Sequence, residues 1–247
     1  MRKFLILTVL FCVVLSLCVA MSVTVNAEAS GTCGADGDNL TWVLDDNGVL
    51  TITGTGEMKK WSNYSATPWY YNYRTQVKSI VIEEGVTSIT RDSFYQFTKL
   101  ESVTLPDSLT SIGVNAFEEC TSLKNIEIPS GIDTIPNYML KNCTGITSIN
   151  IPSNIKTIKG NAFYGCSGLT EVVIPDTLEV IRGSAFYQCT GLKKLTIGTG
   201  VTEIGLNAFY YCTALNGIEL PSSITTIGNY AFKYCTALTN AKFNSNV

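Results

Sequence analysis

A chain of 247 residues without a single histidine lacks both the commonest general base and the commonest metal ligand. Its formal net charge of −3 lacks the basic footprint that a nucleic-acid or anionic-membrane partner requires. With 45% hydrophobic and only 15% charged residues, it has apolar mass for a large core and is not a disordered chain.

The first 27 residues read as a secretory signal. Arg2 and Lys3 precede an apolar run from Phe4 to Met21, and small residues follow at Val25, Ala27 and Ala29, so cleavage is expected near Ala27 or Ala29. Left uncut, the same run is just long enough to span a bilayer, whereas after cleavage no membrane insertion is expected. Leu17 stands before Cys18 where a lipoprotein signal needs a small residue, which argues against lipidation. Cleavage after Ala27 takes the 17 Lys+Arg to 15 against 20 Asp+Glu, a net charge of −5.

Residues 28–76 form a predicted N-terminal cap that holds all three tryptophans. Trp42-Val43-Leu44, then Asp46-Asn47-Gly48, then Val49 to Thr53 reads as a β-hairpin, Asn-Gly favouring a primed turn. Trp61, Trp69 and Tyr71 are expected to lie over the first repeat.

From Val77 onward the chain keeps a 23-residue period. Ile89, Ile112, Ile135, Ile158, Ile181, Ile204 and Ile227 form one column, and Phe94, Phe117, Leu140, Phe163, Phe186, Phe209 and Phe232 another. Phe97 and then Cys120, Cys143, Cys166, Cys189, Cys212 and Cys235 form a third. A fixed period in this range means one supersecondary unit stacked on itself. In each unit, as in Leu123, Ile126 and Ile128, residues two apart share the inner face of a strand, and Pro129 with Ser130-Gly131 then turns the chain. Asp92, Asn115, Asn161, Ser184 and Asn207 are N-cap types for one short helical turn carrying the Phe, Cys and Leu columns. The fold class predicted is a β-rich α/β solenoid of about seven coils with parallel strands, short helical turns and an uncapped C-terminal end at Val247. A Ser or Thr follows every Cys-column residue, and its hydroxyl is expected to cap backbone groups at the corner.

Seven cysteines remain after cleavage, an odd number for an oxidising compartment. Stacked coils would hold the column about 4.8 Å apart with nearly parallel Cβ vectors, which a disulfide does not tolerate, so the ladder is expected to stay reduced. Cys33 has no assigned partner.

The run Ile112-Gly113, Asn115-Ala116-Phe117, Cys120-Thr121-Ser122-Leu123, Ile126, Ile128-Pro129 closely resembles the BspA-like leucine-rich repeat, over about Val77 to Phe243. Gly31-Thr32-Cys33-Gly34, Leu40-Thr41-Trp42 and Leu50 to Gly56 also look like the segment that opens secreted members. The resemblance implies a right-handed leucine-rich-repeat solenoid, secreted or on a bacterial cell surface, acting in adhesion to host matrix proteins or other cells. It carries over no contact residues, because the shared motif is the core. The third coil departs from the pattern at Pro136, Tyr138 and Leu140, and looser packing is expected there.

Candidate chemistry is thin. Adjacent carboxylates at Asp45-Asp46, Glu83-Glu84 and Glu118-Glu119 face apart on a strand and do not face each other on a helix, so no acid/base pair, and no enzyme, is predicted. Asp36-Gly37-Asp38-Asn39 lacks the remaining ligands of a calcium loop and reads as a solvated turn, so no metal or cofactor is predicted. Two surfaces remain. One is the polar outer face of the main strands, from Ser102 and Thr104 to Asn240 and Lys242. The other is aromatic: Tyr95, Tyr164, Tyr187 and Tyr210 follow the Phe column, joined by Tyr211 and Tyr234. Tyrosine is a favoured interface anchor, so these six are the predicted contacts for an extracellular protein or glycan, against a bland role in shielding the seam. Self-association at the C-terminal edge is a further expectation. The competing reading is a structural spacer within a longer surface protein.

Overall fold

The computed structural model describes residues 27–243. All of the predicted signal segment except Ala27, and the predicted uncapped end at Val247, lie outside the described residues. Three antiparallel strands open the fold: β1 (Ala27–Gly34), β2 (Gly37–Asp45) and β3 (Val49–Gly54). The predicted hairpin is β2–β3, with Leu44 opposite Leu50 and Trp42 opposite Ile52. Its turn is not the primed one. Three residues connect the strands and only Gly48 has positive φ, at 83°, the geometry of a type I turn closed by a left-handed glycine. Asp45 fixes this turn by accepting from the backbone N–H of Asn47 and of Val49. Strand β1 begins at Ala27, so a cut after Ala29 would remove three residues from its ladder.

β3 splices the cap to the solenoid. On its other edge it pairs in parallel with Ser79–Ile82, which pairs in turn with Ser102–Thr104. Later coils repeat that ladder in Ser148–Asn150, Glu171–Val173 and Lys194–Thr196, and again in Gly217–Leu220 with Asn240–Phe243. A second parallel ladder runs through Thr134–Ile135, Thr157–Ile158, Val180–Ile181, Glu203–Ile204 and Thr226–Ile227. Partners across these coil-to-coil rungs, such as Ser148 and Glu171, stand one sequence period apart, so each inward side chain lies over its counterpart.

The core is a set of columns in space. Phe94 stacks on Phe117 at 5.3 Å, and Phe163, Phe186, Phe209 and Phe232 follow at 4.9, 5.2 and 5.3 Å. Trp69 closes the bottom of this column, stacked on Phe94 at 5.5 Å and donating from Nε1 to the Ser93 carbonyl at 2.6 Å. Trp61 packs on Trp69, as expected of the cap. Tyr71 does not: it is 72% exposed, and its neighbour Tyr70 is the buried ring. A four-residue helix, Tyr70–Tyr73, sets consecutive side chains about 100° apart, so Tyr70 faces the core while Tyr71 faces away.

Two expectations are corrected at the corner that carries the Phe and Cys columns. It is not a helical turn. Asp92, Asn115, Asn161, Ser184 and Asn207 sit at φ of 56° to 59°, and Gln96, Glu119, Asn142 and Gln188 four residues on at 58° to 63°. Two left-handed residues per coil stop a helix at isolated turns, such as Cys166 N–H to Phe163 carbonyl at 3.2 Å, and other N–H groups bond between coils, as in Phe163 N–H to Ala185 carbonyl and Phe186 N–H to Ala208 carbonyl, both 2.8 Å. Asn and Asp tolerate this conformation best, which is why N-cap residue types occur here. The third coil is also tightly packed: Ile135, Met139 and Leu140 are fully buried and Leu140 N–H reaches the Ala162 carbonyl at 2.9 Å. Met139 stands where the other coils have Ala or Ser, and Leu140 where they have Phe, so the pair carries as many side-chain heavy atoms as Ala with Phe. The irregular stretch is Lys124 to Pro129, which forms no strand although Ile126 and Ile128 stay buried.

The cysteine column has a bonding role that its apolar setting hides. Each thiol from Cys120 to Cys235 donates to the carbonyl of the Phe-column residue in the preceding coil, at 3.1 to 3.3 Å. Burial pushes the Cys143, Cys166 and Cys189 thiols well up, so they are protonated donors. Cys33 is buried in the cap and pushed up to about 12 by burial. The hydroxyls after the Cys column cap carbonyls of the coil before, as Thr144 does to Thr121 and Thr213 to Thr190, both at 3.4 Å.

Candidate functional site

The six sequence-predicted tyrosines fall into two groups. Tyr164, Tyr187 and Tyr210 form a face-to-face ladder with centroids 4.8 and 4.9 Å apart and planes within 3° and 11°. Tyr211 and Tyr234 stack on each other at 4.6 Å, and both lie nearly perpendicular to Tyr210, at 74° and 89°. Tyr95 is not brought to them. The coils between carry Glu118 and Lys141 at the same position, joined by a 2.7 Å ion pair in which Glu118 is buried. Tyr95 instead packs on Tyr64 of the cap at 4.8 Å. Burial, then Glu119 and Glu118, push its phenol up to about 12.

Backbone conformation separates the second group from ordinary shielding. Tyr211 and Tyr234 occupy the second left-handed position, where other coils place Gln, Glu, Asn or Gly; Tyr230 and Tyr138 occupy the first. An aromatic residue at φ of 58° to 62° is a true outlier. Each such residue costs about 1–2 kcal/mol relative to a residue at ease there. Tyr230, Tyr234 and Tyr211 nonetheless expose 59%, 43% and 37% of their surface, so burial does not offset that cost in full.

The ridge has a cation at each end. Lys233 lies between Tyr230, 4.7 Å away, and Tyr234, 5.0 Å away. Lys141 lies 5.9 Å from Tyr164. Removal from water, then neighbouring phenols, pushes Tyr187 and Tyr210 above the usual range, so both hydroxyls are donors at physiological pH. Sequence reasoning missed Tyr230, Lys141 and Lys233. The two lysines share the Tyr164 column and were legible there; Tyr230 lies in a column of cap-type residues and was not.

The polar outer face is different in kind. Four of its charges pair along the ladder, Lys194 with Glu171 at 2.6 Å and Lys242 with Glu219 at 2.7 Å, and Val173 is its one large exposed apolar residue among the described residues. The candidate carboxylates are held by turns and pairs. Glu84 accepts from the backbone N–H groups of Asp107 and Ser108, and these bonds hold it below its usual range. In the Asp36–Asn39 turn, the Asn39 side chain accepts from Asp36 N–H and donates to the Thr55 carbonyl.

A stacked parallel-strand solenoid with a surface ridge is a repeat scaffold, and the described residues contain no group of His, Cys, Asp or Glu that could hold a metal ion. The BspA type leucine rich repeat region matches residues 68–189 and 156–247, in six copies, and the chain belongs to that family. The chain is similar to a leucine-rich repeat protein from Eubacterium ventriosum, 28% identical with a TM-score of 0.54, over 89% of this chain and 73% of that one. It shares its fold with a leucine-rich repeat protein from Bacteroides ovatus, at 24% identity and a TM-score of 0.65, over 83% of this chain and 52% of the other. The same holds for the leucine rich repeat protein of T. pallidum, at 24% identity and 0.62, over 81% and 88%. The chain thus spans about half the length of the Bacteroides protein. No curated protein matches it.

Proposed function

We propose that this chain is a secreted or cell-surface binding module that mediates protein–protein contact or cell adhesion through its repeat surface, without catalysis of its own. The supporting observation is the tyrosine ridge of the later coils, where aromatic rings occupy backbone positions that disfavour them and remain exposed. Residues kept in such conformations concentrate at functional sites. Tyr164, Tyr187, Tyr210, Tyr211 and Tyr234 are its anchors, and Tyr95 belongs instead to the seam between cap and first coil. Export through the charged and apolar leader is part of this reading. The test is solid-phase capture of the processed chain on matrix proteins, mucins and glycans, beside a variant with Tyr164, Tyr187 and Tyr210 all changed to Ser. The variant should capture less while melting near the parent; equal capture removes the ridge. A spacer role within a longer surface protein is the second reading, supported by the partial coverage of the Bacteroides relative.

A further inference from the structure

The three stacked tyrosines leave little ring face to a ligand. Tyr187 is covered on both sides by Tyr164 and Tyr210, Lys141 lies near Tyr164, and Tyr211 and Tyr234 pack nearly perpendicular to Tyr210 at 4.9 and 5.2 Å. A sugar ring that needs an open aromatic face finds none in the middle of this ladder. What the ladder presents is edges and hydroxyls, repeated every 4.8 to 4.9 Å along the solenoid axis. That repeat is the spacing between strands of a ladder, not the rise of about 3.3 Å per residue along one extended peptide. A partner that stays in step with it over several rungs is itself a stacked β ladder.

Charge gives the ridge a direction. Its coil-two end carries Glu118 and Glu119, of which Lys141 neutralises Glu118, while Gln96 donates to Glu119 at 2.8 Å. Its coil-seven end carries Lys233, exposed and held between Tyr230 and Tyr234. Glu118 is buried against Lys141, so the acid that this end presents is Glu119, and the groups along the ridge read acid, base, Tyr, Tyr, Tyr, base.

We propose that the ridge binds the ridge of a second copy of this chain, side by side and antiparallel, with the two-fold axis between the coils of Tyr164 and Tyr187. This rests on the reading of the ridge as the binding surface. The arrangement sets Tyr164 opposite the other copy's Tyr187, Lys141 opposite its Tyr210, and Glu119 opposite its Lys233 and Tyr234. A parallel arrangement sets like charge on like. In the two coils that flank the axis, the column that later carries Tyr211 and Tyr234 holds Gly165 and Gln188, so no tyrosine of that column stands at the axis. The contact strip is roughly 24 Å long, the five spacings between six rungs of a β ladder, so a single pair is weak and gains strength when many copies are displayed together.

The test is sedimentation equilibrium of the chain lacking residues 1–27, across a concentration series reaching about 1 mM, where weak contacts of this kind are populated. The parent is expected to dimerise reversibly, and less in about 0.5 M NaCl, where exposed charges are screened. Lys233→Glu and Glu119→Lys should each weaken the dimer about tenfold, because each creates two like-charge contacts across the axis. The double variant should recover most of the loss. Should Glu119→Lys fail to fold, Glu119→Gln, which can still bond Gln96, together with Lys233→Gln gives the same reading through loss of salt dependence. A parent that stays monomeric overturns the proposal, and so does a dimer that neither charge reversal weakens, as end-to-end pairing at the C-terminal edge would give. A monomer that still captures matrix protein or glycan through the tyrosines overturns only the homotypic partner and leaves the ridge in place.

Discussion

Phe186 is the sharpest point at which to perturb the stack. It is fully buried, lying 4.9 Å from Phe163 and 5.2 Å from Phe209 with planes within 9° and 3°. Phe186→Ala removes the ring and leaves a cavity that neighbouring coils cannot close, at a cost of about 3–5 kcal/mol. Phe186→Leu keeps most of the apolar volume and loses two aromatic contacts of about 0.5–1.5 kcal/mol each, hence about 1–3 kcal/mol. Coil three already supplies the precedent, with Leu140 fully buried in the same column. With a urea m-value of about 3 kcal/mol/M, the Ala variant should lose about 1–1.7 M in midpoint and the Leu variant about 0.3–1 M. Equilibrium unfolding followed by far-UV circular dichroism measures both. Tryptophan fluorescence adds a separate report from the cap, where Trp42, Trp61 and Trp69 all lie. Equal midpoints for Leu and Ala would refute the claim that ring volume in a continuous column holds the coils together.

Two other expectations follow from close contacts and titration. A Cβ at Gly200 would fall 2.0 Å from the Asp176 carbonyl oxygen, so Gly200→Ala should force the coils apart and cost about 1–3 kcal/mol, read as a lowered melting temperature. An unchanged melting temperature would show that the coils can shift there freely. Glu84 and Asp176 are both held below their ordinary values of 4.5 and 3.8, mainly by backbone N–H groups of Asp107 and of Thr199 in the next coil. A depressed folded-state value means that the stabilisation is present above the ordinary value and is lost as pH falls through the folded one. Melting temperature should therefore drop as pH is lowered below about 4, and drop less steeply in a Glu84→Gln, Asp176→Asn double variant. Parallel pH profiles would contradict this.

The coils were legible because a buried position in a stacked repeat is filled again every 23 residues, and Ile, Phe and Cys columns register it directly. β1 was not legible. Ala-Glu-Ala-Ser-Gly-Thr-Cys-Gly alternates small with polar residues but carries no large apolar side chain to mark a strand, and it is held largely by backbone pairing to β2. At the corner, Asn, Asp and Ser suit both a helix N-cap and a left-handed turn, so residue type alone could not separate the two. Tyr138 and Tyr230 in the same column were the discrepant signal, since Tyr is no N-cap. Tyr95 shares a column with Tyr164, yet column membership says nothing of what intervenes. Glu118 and Lys141, read in order, mark the break in the ridge.

Recognition rather than folding as the reason for the late tyrosines is tested most directly by replacing them with the residue types other coils use: Tyr211→Gln, Tyr230→Asn and Tyr234→Asn together. The left-handed positions suit Asn better than an exposed ring, so chemical denaturation should show a chain at least as stable as the parent. Association and ligand capture, measured on the same preparation, should fall about tenfold or more. A variant that loses stability and keeps its binding would assign these tyrosines to the fold and contradict the account.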